Sequence, residues 1–192
     1  MNHLETLLAD LTSGDDARAE AAALQLTAFP VATLDPLLQS DDVDTRWWAL
    51  RALAGFSGGE DVVQRLIAAL EDESDEIRQC AALGLCHHPH PQAILPLIRA
   101  LSSPDSMTAR LAGNALIAIQ TEAVPHLIET LQSATAFTKL KLEIVRTLAE
   151  IGDPRAIPAL MEVLQTDSAI SNYWATYGLD KLGLGMIYIK PQ

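Results

Sequence analysis

Residues 147–169 read TLAEIGDPRAIPALMEVLQTDSA, and the fold turns on whether this stretch is unique or one copy of several. It is one of several. The segments ALAGFS, GLCHHP, ALIAIQ, TLAEIG and GLDKLG place a leucine at Leu53, Leu85, Leu116, Leu148 and Leu179, spaced 32, 31, 32 and 31 residues apart. QLTAFP (25–30) is a shorter earlier copy centred on Leu26. Four residues before each leucine stand Ala22, Ala49, Ala81, Ala112, Ile144 and Ala175. Positions four apart share a helix face, and a small residue there lets two helices cross closely.

A second apolar pattern at helical spacing precedes each of these segments: LDPLLQS (34–40), VQRLIAALED (63–72), ILPLIRALSS (94–103), VPHLIETLQS (124–133) and IPALMEVLQT (157–166). Turns such as SDDVDT and EDESDEI separate the two patterns. Asp and Ser accept from the free N–H groups of a helix start, so these turns predict the N-terminus of a second helix in each unit. In GDP, Gly152 supplies the stop and Pro154 cannot continue the helix. The chain is therefore predicted to be all-α, an α-solenoid of about five to six stacked two-helix repeats. A single array is expected over 1–192: an N-terminal cap or repeat at 1–30, repeats at 31–60, 61–91, 92–121 and 122–154, and a last repeat with an extended C-terminal cap at 155–192. Within it GMIYIKPQ (185–192) alternates apolar and polar residues and is expected to fold over the last repeat.

Composition narrows the function. The chain is 49% apolar but only 5% aromatic, so its core is built from Leu, Ala, Ile and Val, which suits helices. With 25 acids against 13 Lys and Arg the net charge is −12, the wrong sign for neutralising phosphates, so no nucleic-acid partner is expected. No apolar run approaches the length of a membrane span. Early acids and the lack of a basic N-terminal region argue against a secretory signal, and two cysteines six apart fit a reducing compartment; the cytoplasm is the expected location.

Helix geometry picks out a candidate partner surface. Residues six and two before each repeat leucine lie on the stripe opposite the core: Trp47 with Arg51, Gln79 with Leu83, Arg110 with Asn114, Leu142 with Arg146, and Tyr173 with Tyr177. Second helices line the concave face of such stacks, and Trp, Tyr and Arg are the residue types enriched at interface hot spots. None of the ten is an acid, so the three arginines are expected to meet carboxylates of a partner. On this reading Arg51→Glu with Arg146→Glu removes partner binding and leaves melting unchanged. The opposite assignment, in which Trp47, Leu83 and Leu142 are core, stays open at this stage.

CHHPHP (86–91) carries Cys86, His87, His88 and His90, residue types that ligate zinc or iron–sulfur centres, with Cys80 one and a half turns earlier. Pro89 and Pro91 stiffen the segment, and histidine at a helix end also has the ordinary role of meeting the last carbonyls. The segment reads as a joint first and a ligand set second. GFSGG (55–59) matches G-x-S-x-G, but that elbow needs a strand before the serine, and a helix precedes it here. No catalytic constellation is visible.

The stretch at 147–169 resembles the short HEAT-like repeat of phycobilisome bilin lyases, and the resemblance extends over essentially the whole chain. YWATYGLDKLGLGMIYIKP (173–191) is similar to the closing segment of cyanobacterial-type members. That family includes lyase subunits that attach or isomerise open-chain tetrapyrroles on phycobiliproteins, proteins of phycobilisome disassembly, and scaffolds. The resemblance implies a protein-binding adaptor or chaperone acting on phycobiliproteins or open-chain tetrapyrroles. A phycobilin is then the implied ligand, and a phycobiliprotein or a second HEAT-like subunit the implied partner. Two alternatives stay open: a non-catalytic scaffold for another cofactor-assembly or photosynthetic protein, and a metal or iron–sulfur carrier using Cys86 and its histidines. The resemblance leaves open whether lyase chemistry resides in this chain.

Overall fold

Helices form wherever the two apolar patterns predict them. A computed structural model describes residues 2–133, 138–165 and 168–184, so the GMIYIKPQ tail lies outside the described residues. The chain divides into two compact units, 1–93 and 94–192. The first holds α1 (His3–Leu11), α2 (Asp16–Leu26), α3 (Asp35–Leu38), α4 (Val43–Leu53), α5 (Glu60–Ala69) and α6 (Asp75–His87). The second holds α7 (Ile94–Ala100), α8 (Ser106–Ile119), α9 (Val124–Ser133), α10 (Lys139–Ile151), α11 (Ile157–Val163) and α12 (Ala169–Lys181). No strand occurs among the described residues, and the fold class is an all-α solenoid. Among them no helix is long and apolar enough to cross a membrane.

In each unit the helices pair in sequence order, and the second members lie side by side: α4 packs between α2 and α6, and α10 between α8 and α12. The repeat leucines are the core of these layers, Leu53, Leu85, Leu116 and Leu148 being completely buried. The residues four before them, Ala49, Ala81, Ala112 and Ile144, are buried as well. A further small column stands directly before the leucines: Ala52, Gly84, Ala115, Thr147 and Gly178, all buried. At Gly178 this column sets how closely α12 approaches α10, and at Gly84 it makes room for Leu66 of α5.

The turn residues cap as their chemistry dictates. Asp15, Asp42, Ser74, Asp105 and Ser168 are the N-caps of α2, α4, α6, α8 and α12, each accepting from the backbone N–H three residues on. Thr138 holds the same position at α10 without a side-chain bond. Asn2 and Glu5 form a reciprocal capping box on α1. Gly152 ends α10 at φ 68°, a conformation glycine adopts without strain.

Polar ties then join one repeat to the next. Arg46 forks onto Asp72 at 2.9 and 3.0 Å, and Arg65 onto Asp35 at 2.6 and 2.9 Å. In the second unit Lys139 donates to the Ser103 carbonyl at 3.0 Å, Arg155 to Thr121 at 2.7 Å, and Lys181 to Glu150 at 2.5 Å. Bidentate pairs of this kind are the stronger class of surface ion pair.

These ties make stability depend on pH. Hydrogen bonds from Arg65 hold the Asp35 carboxyl below its ordinary 3.8. Burial pushes Asp72 up, but the Arg46 fork, the Ser74 N–H and the charges of Arg46 and Arg78 outweigh it and leave the carboxyl lowered. Hydrogen bonds from Arg155 lower Asp153. Each group releases its proton more readily folded than unfolded, so its contribution is complete above 3.8 and is lost as pH falls below that value. The melting temperature is expected to be level from about pH 7 to 5 and to fall below about pH 4. Asp72→Asn should lower it at neutral pH and flatten the acid limb. A limb of unchanged steepness in Asp72→Asn would remove this pair as a cause.

Candidate functional site

The second helices of the first unit carry Trp47, Arg51, Gln79 and Leu83. Leu83 is 48% exposed, while Trp47, Arg51 and Gln79 are half-buried. Counting back from Leu26 in the same register adds Glu20 and Leu24 on α2, and Leu24 is 62% exposed. Glu20 pairs with Arg51, so the arginine expected to wait for a partner's carboxylate already meets one. Both side chains are about 40% exposed, which leaves that pair open to competition. Trp47 and Trp48 meet edge to face, centroids 4.9 Å apart.

In the second unit the corresponding residues separate into two kinds. On α12, Tyr173 and Tyr177 are exposed at 63% and 37%, and both pack edge-on against the half-buried Trp174, at 5.4 and 5.6 Å. On α8, Arg110 and Asn114 are exposed; Leu142 on α10 is half-buried. Arg146 differs from all of these. It is only 4% exposed, its Nε donating to Glu143 at 2.9 Å and its other nitrogens to Asn114 Oδ1 and the Arg110 carbonyl, both at 3.3 Å. Glu143 is itself buried, and Arg110 stands 3.6 Å from its second oxygen. Arg146 is therefore structural and not an open anion-binding group. The double substitution expected above to leave melting unchanged would disturb the core.

Two features had a sequence signal that single-helix geometry does not use. Glu143 stands five before Leu148, where the other units have Trp48, Cys80, Leu111 and Trp174, and it lies three before Arg146, the spacing of a helical ion pair. Gly113 is the other: a Cβ there would run into the Arg146 guanidinium, so the glycine makes the channel in which that side chain lies.

The repeats match two family models, HEAT repeats over residues 63–139 and the PBS lyase HEAT-like repeat over 45–72 and 140–166. Between them the two models place HEAT-like repeats over residues 45–166. This HEAT-like protein is similar to phycocyanobilin lyase subunit alpha of Picosynechococcus sp. (strain ATCC 27264 / PCC 7002 / PR-6), with 27% identity over 75% of the chain. It spans 61% of the length of that relative. Among solved structures it is similar to the archaeal HEAT-like repeats protein of Thermococcus onnurineus NA1, with TM-score 0.63 and 18% identity over 100% of this chain and 84% of that one. It is also similar to the complex of CpcE and CpcF of phycocyanin lyase from Nostoc sp. PCC7120, with TM-score 0.58 and 24% identity over 83% of this chain and 67% of that one. At these identities the two structures establish the shared fold.

In the HEAT-like frame CHHPHP ends α6 and leads onward. His88 is the C-cap; its ring nitrogen Nε2 lies 3.0 Å from the Ala54 carbonyl, at the end of α4 one repeat earlier. His90 accepts from the Gln92 N–H at 3.3 Å, and His87 is exposed. Among the described residues no three His, Cys, Asp or Glu side chains come together as a metal site, because the helix end points these rings at different neighbours. The carrier alternative built on Cys86, His87, His88 and His90 thus lacks its ligand cluster. Burial pushes the Cys80 thiol up to about 11 against the opposing pull of Arg51, and raises Cys86 as well, so both thiols are protonated and poorly nucleophilic at neutral pH.

Proposed function

We propose that this bilin-lyase-like HEAT-repeat protein is an adaptor or chaperone that binds a phycobiliprotein, with the exposed residues of its second helices as the contact surface. The observation that carries this reading is the aromatic face of α12, where Tyr173 and Tyr177 stand open around Trp174. Tyrosines that offer a large rigid surface at low entropic cost are what interface hot spots use. The similarity to a phycocyanobilin lyase subunit supports the choice of partner class, and Arg110 and Asn114 on α8 supply polar groups in the same layer. An open-chain tetrapyrrole carried by the partner, or a second HEAT-like subunit, fits the same role. The reading assigns no catalytic residue.

The test is binding of purified phycocyanin subunits, with and without phycocyanobilin, to the immobilised protein. Saturable binding is expected, weakened about thirtyfold by Tyr173→Ala with Tyr177→Ala, the effect of losing a hot spot of about 2 kcal/mol. These side chains are exposed, so the variant should keep its fold and melting temperature. Binding that ignores the double substitution would remove α12 from the surface. A protein that binds no phycocyanin subunit in either state would overturn the partner class.

A further inference from the structure

Charge is distributed very unevenly along this chain. Residues 1–93 contain 16 of the 25 acids but only five of the 13 Lys and Arg, so the first unit carries −11 of the net −12. All five of its cations are arginines, and each already has a carboxylate: Arg18 with Asp10, Arg46 with Asp72, Arg51 with Glu20, Arg65 with Asp35 and Arg78 with Asp75. Sixteen acids thus share five cations, which leaves the unit with a surplus of negative charge.

Part of that surplus converges with two aromatic rings. A cleft of about 460 Å³ is lined by Trp47 and Trp48 of α4 together with Asp16, Asp42, Asp44 and Thr45. Asp42 is engaged as the cap of α4, accepting from the Thr45 N–H at 2.8 Å and its hydroxyl at 2.6 Å. Asp16 and Asp44 are exposed and form no ion pair within the described residues. The two indoles stand at 89° to each other and are only half-buried, so the pair is not simply core. An indole face attracts a cation through its quadrupole, and attraction strengthens where nearby carboxylates add to the field. The same acids repel a carboxylate or phosphate. The volume lies within the range of specific binding clefts.

We infer that the Trp47–Trp48 cleft of the first unit receives an arginine or lysine side chain from a basic segment of a partner protein. The ring faces supply the contact, Asp16 and Asp44 supply the countercharge, and the excess acid of the whole unit draws the segment in. This site is separate from the α12 surface, and the inference does not depend on a phycobiliprotein being the partner.

A capped tetra-arginine peptide titrated into the full chain tests it, with the three indole N–H resonances of Trp47, Trp48 and Trp174 as reporters. Saturable shifts are expected at Trp47 and Trp48 but not at Trp174, with none from a tetra-glutamate peptide. Asp16→Asn with Asp44→Asn should weaken binding about tenfold, the loss of two countercharges beside an aromatic face. A control pair from the same unit but outside the cleft, Asp61→Asn with Glu73→Gln, should change it less than twofold. Equal weakening by the two pairs would mean diffuse attraction and overturn the site. Absence of saturable binding, or shifts centred on Trp174, would also overturn it. Retained amide dispersion in every variant keeps a loss of binding distinct from a loss of fold.

Discussion

Arg146→Glu destabilises the protein by about 4 kcal/mol, lowering its melting temperature by roughly 10 °C. The wild-type guanidinium is almost fully buried and satisfies Glu143, Asn114 Oδ1 and the Arg110 carbonyl together. A glutamate there faces a second buried carboxylate, and only Arg110, at 3.6 Å and largely exposed, remains to offset either charge. Removing one partner of a buried pair costs far more than the pair contributes, because the survivor is left desolvated. Arg146→Met should therefore be severe as well, while Glu143→Met with Arg146→Met should recover most of the loss. Arg51→Glu provides the contrast: its pair with Glu20 is open to water, and its cost should stay below about 1 kcal/mol. Urea denaturation of the four variants measures all of this. Equal midpoints for Arg51→Glu and Arg146→Glu would show that the guanidinium of Arg146 is not held as described.

Gly178→Val is the second large effect. A Cβ at Gly178 would stand 2.8 Å from the Ala149 Cβ, 2.9 Å from the Ala149 Cα and 3.0 Å from Leu160 Cδ1. Two of those atoms belong to Ala149 on α10, one of them backbone, so relief requires α10 and α12 to move apart. A cost of about 3 kcal/mol is expected, the upper end for overpacking, slightly reduced because valine suits a helix better than glycine does. Gly84→Ala tests the reasoning from the opposite side. Its new Cβ would meet only the Leu66 side chain, nearest at 2.7 Å, and a leucine tip can rotate away. Its net effect should be under about 1 kcal/mol, since the helix-propensity gain offsets the adjustment. Denaturation midpoints that rank the two substitutions in the opposite order would discard this account of the helix contact.

The leucine and alanine columns were legible in the sequence because each depends on one helix and its 3.6-residue period. The capping turns were legible for a similar reason, since a cap is a contact over three residues. Arg146 was not. Its position two before Leu148 is outward on an isolated helix; it is buried because Gly113 opens a channel on the neighbouring helix and Glu143 lines it. Glu20 escaped because the earliest copy is short, and its stripe positions become visible only when counted from Leu26. The rings of CHHPHP belong to the same class. Spacing identifies a joint between helices, but not that His88 turns back to Ala54.

The ties between repeats share one property. Arg46 to Asp72, Arg65 to Asp35, His88 to Ala54, Lys139 to Ser103, Arg155 to Thr121 and Lys181 to Glu150 join residues between 26 and 36 apart, about one period each. Each bond recognises only the adjoining hairpin. Ordering therefore spreads like a zipper from any nucleus, with little loop closure ahead of each new contact. It also means that duplicating one hairpin inside a unit would leave the other ties in place and create a single new junction, between that hairpin and its own copy. Lineages could lengthen or shorten such a unit by whole periods by refitting one junction at a time, because none of these ties measures how many hairpins there are.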